Sequence, residues 1–151
     1  MVLKKISKQE KEAAAKLLFT YWKNRGMPQY NLKWAKEYLN EGHKKEIKRD
    51  EFFVYKDGKD IRGIISLITD VSDVAEIRDM IVLSKYTNEK YSPKMLSAII
   101  KWARKRKIRK LYSLIFPKSK KLFTSFGFRK EGILRSHFTS GEDLTIMSKF
   151  L

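Results

Sequence analysis

Cysteine is absent from this sequence, which excludes structural disulfides, thiolate metal sites and a cysteine nucleophile together. Histidine is scarce: His43 and His137 stand far apart, and two such residues fall short of a dedicated zinc site. Three prolines and seven glycines leave little room for a long linker. No run of 18 apolar residues occurs, and the opening MVLKKISKQEKE lacks the apolar stretch of a secretory signal. These absences predict a soluble, cytoplasmic protein with one domain over residues 1–151.

Positive charge is abundant. Lys and Arg number 34 against 17 Asp and Glu, for a net charge of +17. A field of that sign gathers anions such as nucleic acid, acidic lipid, phosphorylated cofactors or acidic protein surfaces. A lysine-rich surface that serves solubility alone gives the same composition, and both readings stay open. The densest run is KWARKRKIRK (101–110), with seven cations in ten residues. It reads as a phosphate-binding surface or as a solvated helix end favoured by the helix dipole. The aromatics fall at core spacing and are not interleaved with these cations as stacking platforms.

The apolar pattern places the elements. VLKKI (2–6) is a short strand, and Ser7 with Glu10 forms a capping box before a helix carrying Ala14, Leu17, Leu18, Tyr21 and Trp22. Gly26 and Pro28 end it; Asn31 caps a second helix with Leu32, Ala35, Tyr38 and Leu39 on one face and Gly42 as its stop. Residues 51–70 form a hairpin around Lys56-Asp57-Gly58-Lys59, and VAEIRDMIVL (74–83) is another strand. Ser92 and Pro93 read as N-cap and first residue of a helix with Met95, Leu96, Ile99, Ile100 and Ala103 buried. A strand at 111–117, a short helix at 118–126 stopped by Gly127, and a hairpin of 128–138 with 143–151 complete the chain. The order β-α-α-β-β-β-α-β-α-β-β predicts an α/β fold: a mixed, mostly antiparallel sheet flanked by helices, with one parallel connection.

That order, with AEIRDMIVLSKY (75–86), FTSFGFRKEGILR (123–135) and LTIMSKFL (144–151) at the matching places, resembles the GCN5-related N-acetyltransferase (GNAT) family over nearly the whole chain. The resemblance implies an enzyme that moves an acetyl group from acetyl-CoA to an amine, without a metal. It implies that the strand at 75–86 ends in a splayed bulge, where the backbone of Met80, Ile81 and Val82 pairs with the pantetheine arm and the N–H near Val82 holds the reacting carbonyl. It also implies a pyrophosphate site at TNEKYS (87–92): Thr87, Asn88, Glu89, Lys90, Tyr91 and Ser92.

This loop departs from the family's glycine-rich pattern. Thr87 stands for an Arg or Gln, Lys90 for the first Gly and Ser92 for the second Gly or Ala. Backbone approach is less free without glycine, whereas the Lys90 ammonium offers a point charge to a phosphate. Pro93 at a helix start would remove one donor. Glu76 is the candidate general base, with Asp79 in reserve. Regular alternation puts Glu76, Arg78, Met80 and Val82 on one face and Asp79 on the other; pairing of Glu76 with Arg78 is the structural alternative. Phe123 occupies the place of the family's proton-donating Tyr, and Phe116 that of its Asn, for which Ser119 is a substitute; Tyr86, Tyr91 and Tyr112 match no family position. Tyr30 is the aromatic expected to line an acceptor pocket.

The acceptor is an amine, with a protein or peptide among the options, and the high positive charge disfavours free polyamines. The alternative function is a non-catalytic binding module of the same fold that offers its basic surface to nucleic acid or an acidic partner. A homodimer is compatible with the resemblance, and no membrane partner is expected.

Overall fold

The computed structural model describes residues 2–41, 49–69, 73–83 and 88–151. Its strands are β1 (Val2–Lys5), β2 (Arg49–Asp57), β3 (Asp60–Thr69), β4 (Val74–Val82), β5 (Lys110–Ile115), β6 (Arg129–Leu134) and β7 (Leu144–Phe150). Its α-helices are α1 (Lys11–Asn24), α2 (Leu32–Glu41), α3 (Asn88–Lys105) and α4 (Lys120–Ser125). One seven-stranded sheet runs in the order β1-β2-β3-β4-β5-β7-β6. Among the described residues only β4 and β5 pair in parallel, which follows from the helix between them: a parallel neighbour needs a crossover.

Local chemistry explains most boundaries. The Glu10 carboxylate accepts from the Ser7 N–H at 3.0 Å and the Ser7 hydroxyl at 2.8 Å, fixing the entry to α1. Burial pushes the Glu10 carboxyl up, but the Ser7 bonds with the Lys4 and Lys56 ammoniums outweigh it and hold the group at about 2. The Asn31 side chain accepts from the Trp34 N–H at 2.9 Å and caps α2 as expected. Gly42, the expected stop of α2, lies outside the described residues.

The β2–β4 part of the sheet is buried on both faces. On one, α1 and α2 place Ala14, Leu18, Ala35 and Leu39 against Phe52, Val54, Ile64 and Ile81. On the other, α3 and α4 set Met95, Leu96, Ile99 and Phe123 against Phe53, Ile65, Leu67, Ile77 and Val82. Alternate residues of each strand serve opposite faces.

Two sequence expectations are corrected. α3 begins at Asn88, so Ser92 is not its cap and Pro93 lies inside it. Tyr91 is buried and meets Tyr55 edge-on at 5.6 Å. It extends the Met95–Ile99 stripe by one turn, and that burial favours helix four residues upstream of Ser92. The missing Pro93 N–H therefore takes no donor from the helix start; it deprives the Glu89 carbonyl of its intrahelical partner. The second correction concerns β4. Ile65 pairs with Met80 and Leu67 with Ile77, so Arg78 and Asp79 together oppose Ser66. The extra residue is a β-bulge. It shifts the alternation, so Glu76 lies opposite Ala75 and Ile77 and on the same face as Asp79 and Ile81, not with Met80 and Val82.

Candidate active site

The parallel pairing of β4 with β5 covers only Val74↔Lys110, Ala75↔Leu111 and Glu76↔Tyr112. Beyond it the bulge turns β4 away and the strands separate. The Ser113 hydroxyl, buried at the fork, donates to the Ile77 carbonyl at 2.6 Å. It ties β5 to β4 where the ladder ends.

A cavity of about 700 Å³ opens in the gap. Met80, Ile81 and Val82 form its β4 wall, and Leu114, Ile115 and Phe116 its opposite side. Ser92 and Pro93 of α3 and Leu122, Phe123 and Ser125 of α4 line it from one face of the sheet; Tyr21 and Trp22 of α1 line it from the other. The split strand pair thus joins the two faces through the sheet. Lys118, Ser119 and Lys121 also line it, so Phe116 and Ser119 both reach the cavity.

The α1 side carries a polar network created by the bulge. Asp79 Oδ2 accepts from the Tyr38 hydroxyl at 2.7 Å and the Ser66 hydroxyl at 2.8 Å. Its Oδ1 makes no hydrogen bond with a described residue, and Asp79 lines the cavity. Burial pushes its carboxyl up from the ordinary carboxylate value, against the downward pull of the two hydroxyls and Arg78. Burial and the Asp79 charge likewise push the Tyr38 hydroxyl up. Burial also raises the Tyr21 hydroxyl, with Arg25 pulling it down and Asp79 adding to the rise.

Glu76 is differently placed. Arg78 grips both its oxygens, Nε to Oε1 at 3.1 Å and Nη2 to Oε2 at 2.8 Å, while the Tyr112 hydroxyl donates to Oε2 at 3.4 Å. Glu76 does not line the cavity; Arg78 does. The pairing weighed from the sequence is therefore present.

Among the loop residues, Ser92 is buried on the cavity wall, and Tyr91 is buried in the core. Lys90 is exposed, its ammonium 5.6 Å from the Tyr91 ring centre. Asn88 and Glu89 are helical, and Thr87 lies outside the described residues. Tyr30 does not line the cavity: it packs between Trp22, tilted at 4.8 Å, and Trp34, edge-on at 4.7 Å. Sequence reasoning missed Tyr21 and Trp22 as lining residues. Their signal was their place in the last turns of α1, where a helix face runs past the core to the end of the sheet.

Arg25 closes this end. Its Nη2 lies 3.0 Å from both oxygens of Glu142, and its guanidinium sits 3.9 Å above the Phe116 ring. At the far end of α3, Lys101, Arg104, Lys105, Arg106, Lys107 and Arg109 are exposed. Arg106 stacks 4.8 Å from the Trp102 ring, and Arg109 pairs with Asp73 at 3.1 Å. Among the described residues no cluster of three or more His, Asp or Glu could hold a metal, and no helix is long and apolar enough to cross a membrane.

Comparison with known proteins agrees with this geometry. Residues 14–128 match the model of the acetyltransferase (GNAT) family. Spermidine N-acetyltransferase from Vibrio cholerae, solved with CoA and spermine, aligns with a TM-score of 0.78 at 18% identity, covering 99% of this chain and 94% of that one. Ribosomal-protein-alanine N-acetyltransferase from Brucella melitensis aligns over the full length of both chains, at 0.73 and 19% identity. IAA acetyltransferase from Bacillus cereus gives 0.75 at 18% identity, with 99% of each chain covered. A search of curated proteins gives no match. The split β4–β5 pair, its through-sheet cavity and the family match over residues 14–128 establish that this chain belongs to the acetyltransferase (GNAT) family and is an N-acetyltransferase.

Proposed function

We propose that the protein transfers the acetyl group of acetyl-CoA to an amine that enters from the α1 side of the sheet. The observation that carries this reading is the β4–β5 split, with a cavity of about 700 Å³ reaching both faces. The structural neighbour from Vibrio cholerae was solved with CoA and spermine, which supports a nucleotide thioester and an amine as the two substrates.

The pantetheine arm lies along Met80, Ile81 and Val82. Beyond Glu76 this edge of β4 has no pairing with β5, and an extended ligand can take the vacant strand position. The N–H near Val82 then polarises the thioester carbonyl. The pyrophosphate meets the start of α3, where the N–H groups of Asn88, Glu89 and Lys90 lack intrahelical acceptors. Tyr91 and Ser92 follow that first turn within α3, and Thr87, also expected at this site, lies outside the described residues. Pro93 falls beyond this first turn, so the donor set is larger than the sequence alone suggested. Lys90 adds a charge that glycine would not.

The amine must lose its proton, attack the carbonyl carbon and displace the thiol. Glu76 and Asp79 are alternatives for this one proton: Glu76, the base expected from the sequence, must first free an oxygen from Arg78, whereas Asp79, the reserve, needs no such rearrangement. Holding the amine beside the thioester supplies much of the rate, which accommodates Phe123 in place of a proton-donating Tyr.

Release of free thiol from acetyl-CoA, followed across a panel of primary amines, tests the reading. An amine-dependent rate is expected, and none with any amine would refute it. Glu76→Gln should lower kcat/KM if Glu76 is the base; an unchanged pH–rate profile removes it from that role.

A further inference from the structure

Asp79 is the one carboxylate among the described residues that line the cavity, and Arg78, Lys118 and Lys121 line it as cations. Two other carboxylates among the described residues of this end, Glu76 and Glu142, are already engaged. Glu76 is held at both oxygens by Arg78. Glu142 is held at both by Arg25 and receives the Ser140 hydroxyl at 3.0 Å. The rings of Tyr21, Trp22 and Phe116 also line the cavity, and Arg25 covers one face of Phe116.

An ammonium entering this end would therefore find one carboxylate oxygen without a hydrogen bond to a described residue, Oδ1 of Asp79. A second ammonium on the same molecule would find no second carboxylate among the described residues that line the cavity. Leaving water without a partner is costly for a charge, and a like charge nearby disfavours it further. Aromatic faces suit an apolar body attached to the amine.

We propose that Asp79 is the catalytic carboxylate that receives the acceptor's ammonium, and that the acceptor class is a monoamine whose single ammonium is joined to an apolar or aromatic body. This rests on the acetyl-transfer reading above. A free arylalkylamine and a peptide with an apolar N-terminal residue share that chemistry. Oδ1 takes one proton from the ammonium, the neutral nitrogen bonds to the acetyl carbon, and the carbon–sulfur bond breaks. The proton then shed by nitrogen goes to the leaving sulfur, giving the amide and free CoA thiol, and Asp79 returns its proton to water. Tyr38 and Ser66 hold Oδ2 and so aim Oδ1. The groups facing Asp79 are Tyr38 of α2, Tyr21 of α1, Ser66 of β3, and Arg78 and Glu76 of β4. The upward push of burial on the Asp79 carboxyl brings it nearer to working pH as a proton acceptor.

The test uses the full chain and its Asp79→Asn variant, with phenethylamine, phenylalanyl-alanine amide and spermidine as acceptors. Acetyl-CoA binding is measured separately by calorimetry. At least one of the two monoamines should exceed spermidine in kcat/KM by about tenfold or more; which one it is identifies the source. Asp79→Asn should lose about a hundredfold or more in kcat, bind acetyl-CoA as the parent does, and lose the acid limb of the parent's pH profile. Spermidine used as well as or better than both monoamines would overturn the acceptor class. Retention of activity and of the acid limb by Asp79→Asn would overturn the catalytic role. Failure of the parent to bind acetyl-CoA would overturn the underlying reading and this inference with it. A melting temperature for Asp79→Asn at or above the parent's separates lost chemistry from lost fold, because the variant removes a buried charge while keeping an oxygen for Tyr38 and Ser66.

Discussion

The two sides of the β4–β5 gap are built from different materials. On the α3 side the wall is mostly main chain and small or apolar groups, namely the edge of Met80–Val82, Ser92, Pro93, Leu122, Phe123 and Ser125, with Lys121 as its one cation on α4. On the α1 side it is a network of charged and aromatic side chains: Asp79, Arg78, Tyr21 and Trp22, tied to Tyr38, Ser66 and Glu76. Main-chain recognition tolerates side-chain replacement, so the first side can keep its proposed cofactor although the loop before α3 has lost its glycines. The second side has no such tolerance. Its chemistry is set by which side chains the bulge turns toward α1, and single substitutions should act there most strongly.

The largest expected effect is accordingly on the α1 side, with Asp79→Asn cutting turnover by the factor stated above while leaving the cofactor bound. Next comes Gly63, which pairs with Val82. A Cβ there would stand 2.8 Å from the Ile81 carbonyl oxygen and 2.8 Å from Met95 Sδ. The Met95 side chain can yield, but the carbonyl belongs to the wall itself. Gly63→Ala should cost about 1–3 kcal/mol in urea unfolding and weaken acetyl-CoA binding in calorimetry. Normal affinity in this variant would show that the cofactor does not depend on the position of Ile81 and Val82.

The smallest effect is expected at Lys90, which is exposed. Lys90→Ala should raise the Kd for acetyl-CoA by about two- to fivefold, with the difference shrinking as salt rises, because an exposed charge is screened. An affinity indifferent to Lys90 would leave the pyrophosphate to the backbone amides alone.

This contrast also explains what could be read from the sequence. The element order, the Asn31 cap, the Gly58 and Gly127 turns and the parallel β4–β5 connection all follow from periodicity and local chemistry. The bulge is different. AEIRDMIV alternates well enough to look regular, and one inserted residue reverses the assignment of Glu76 relative to Met80. The resemblance implied a bulge, yet its position depends on pairing with Ile65 and Leu67 of β3, a long-range register that no local pattern encodes. The start of α3 was hidden for a similar reason. Ser92-Pro93 is a good local start signal, but burying Tyr91 against Tyr55 favours helix from Asn88. Tyr21 and Trp22 looked like core residues because their helical spacing is that of core residues; only the gap beyond Glu76 turns that face into a cavity wall.

Amide hydrogen exchange with and without acetyl-CoA tests the central claim most directly, since it reads the split itself and needs no acceptor. The account predicts slower exchange confined to two stretches, residues 78–82 on β4 and the first turn of α3 from Asn88, with little change at the paired end, Val74–Glu76. Protection that spares 78–82, or no protection at saturating cofactor, would contradict it.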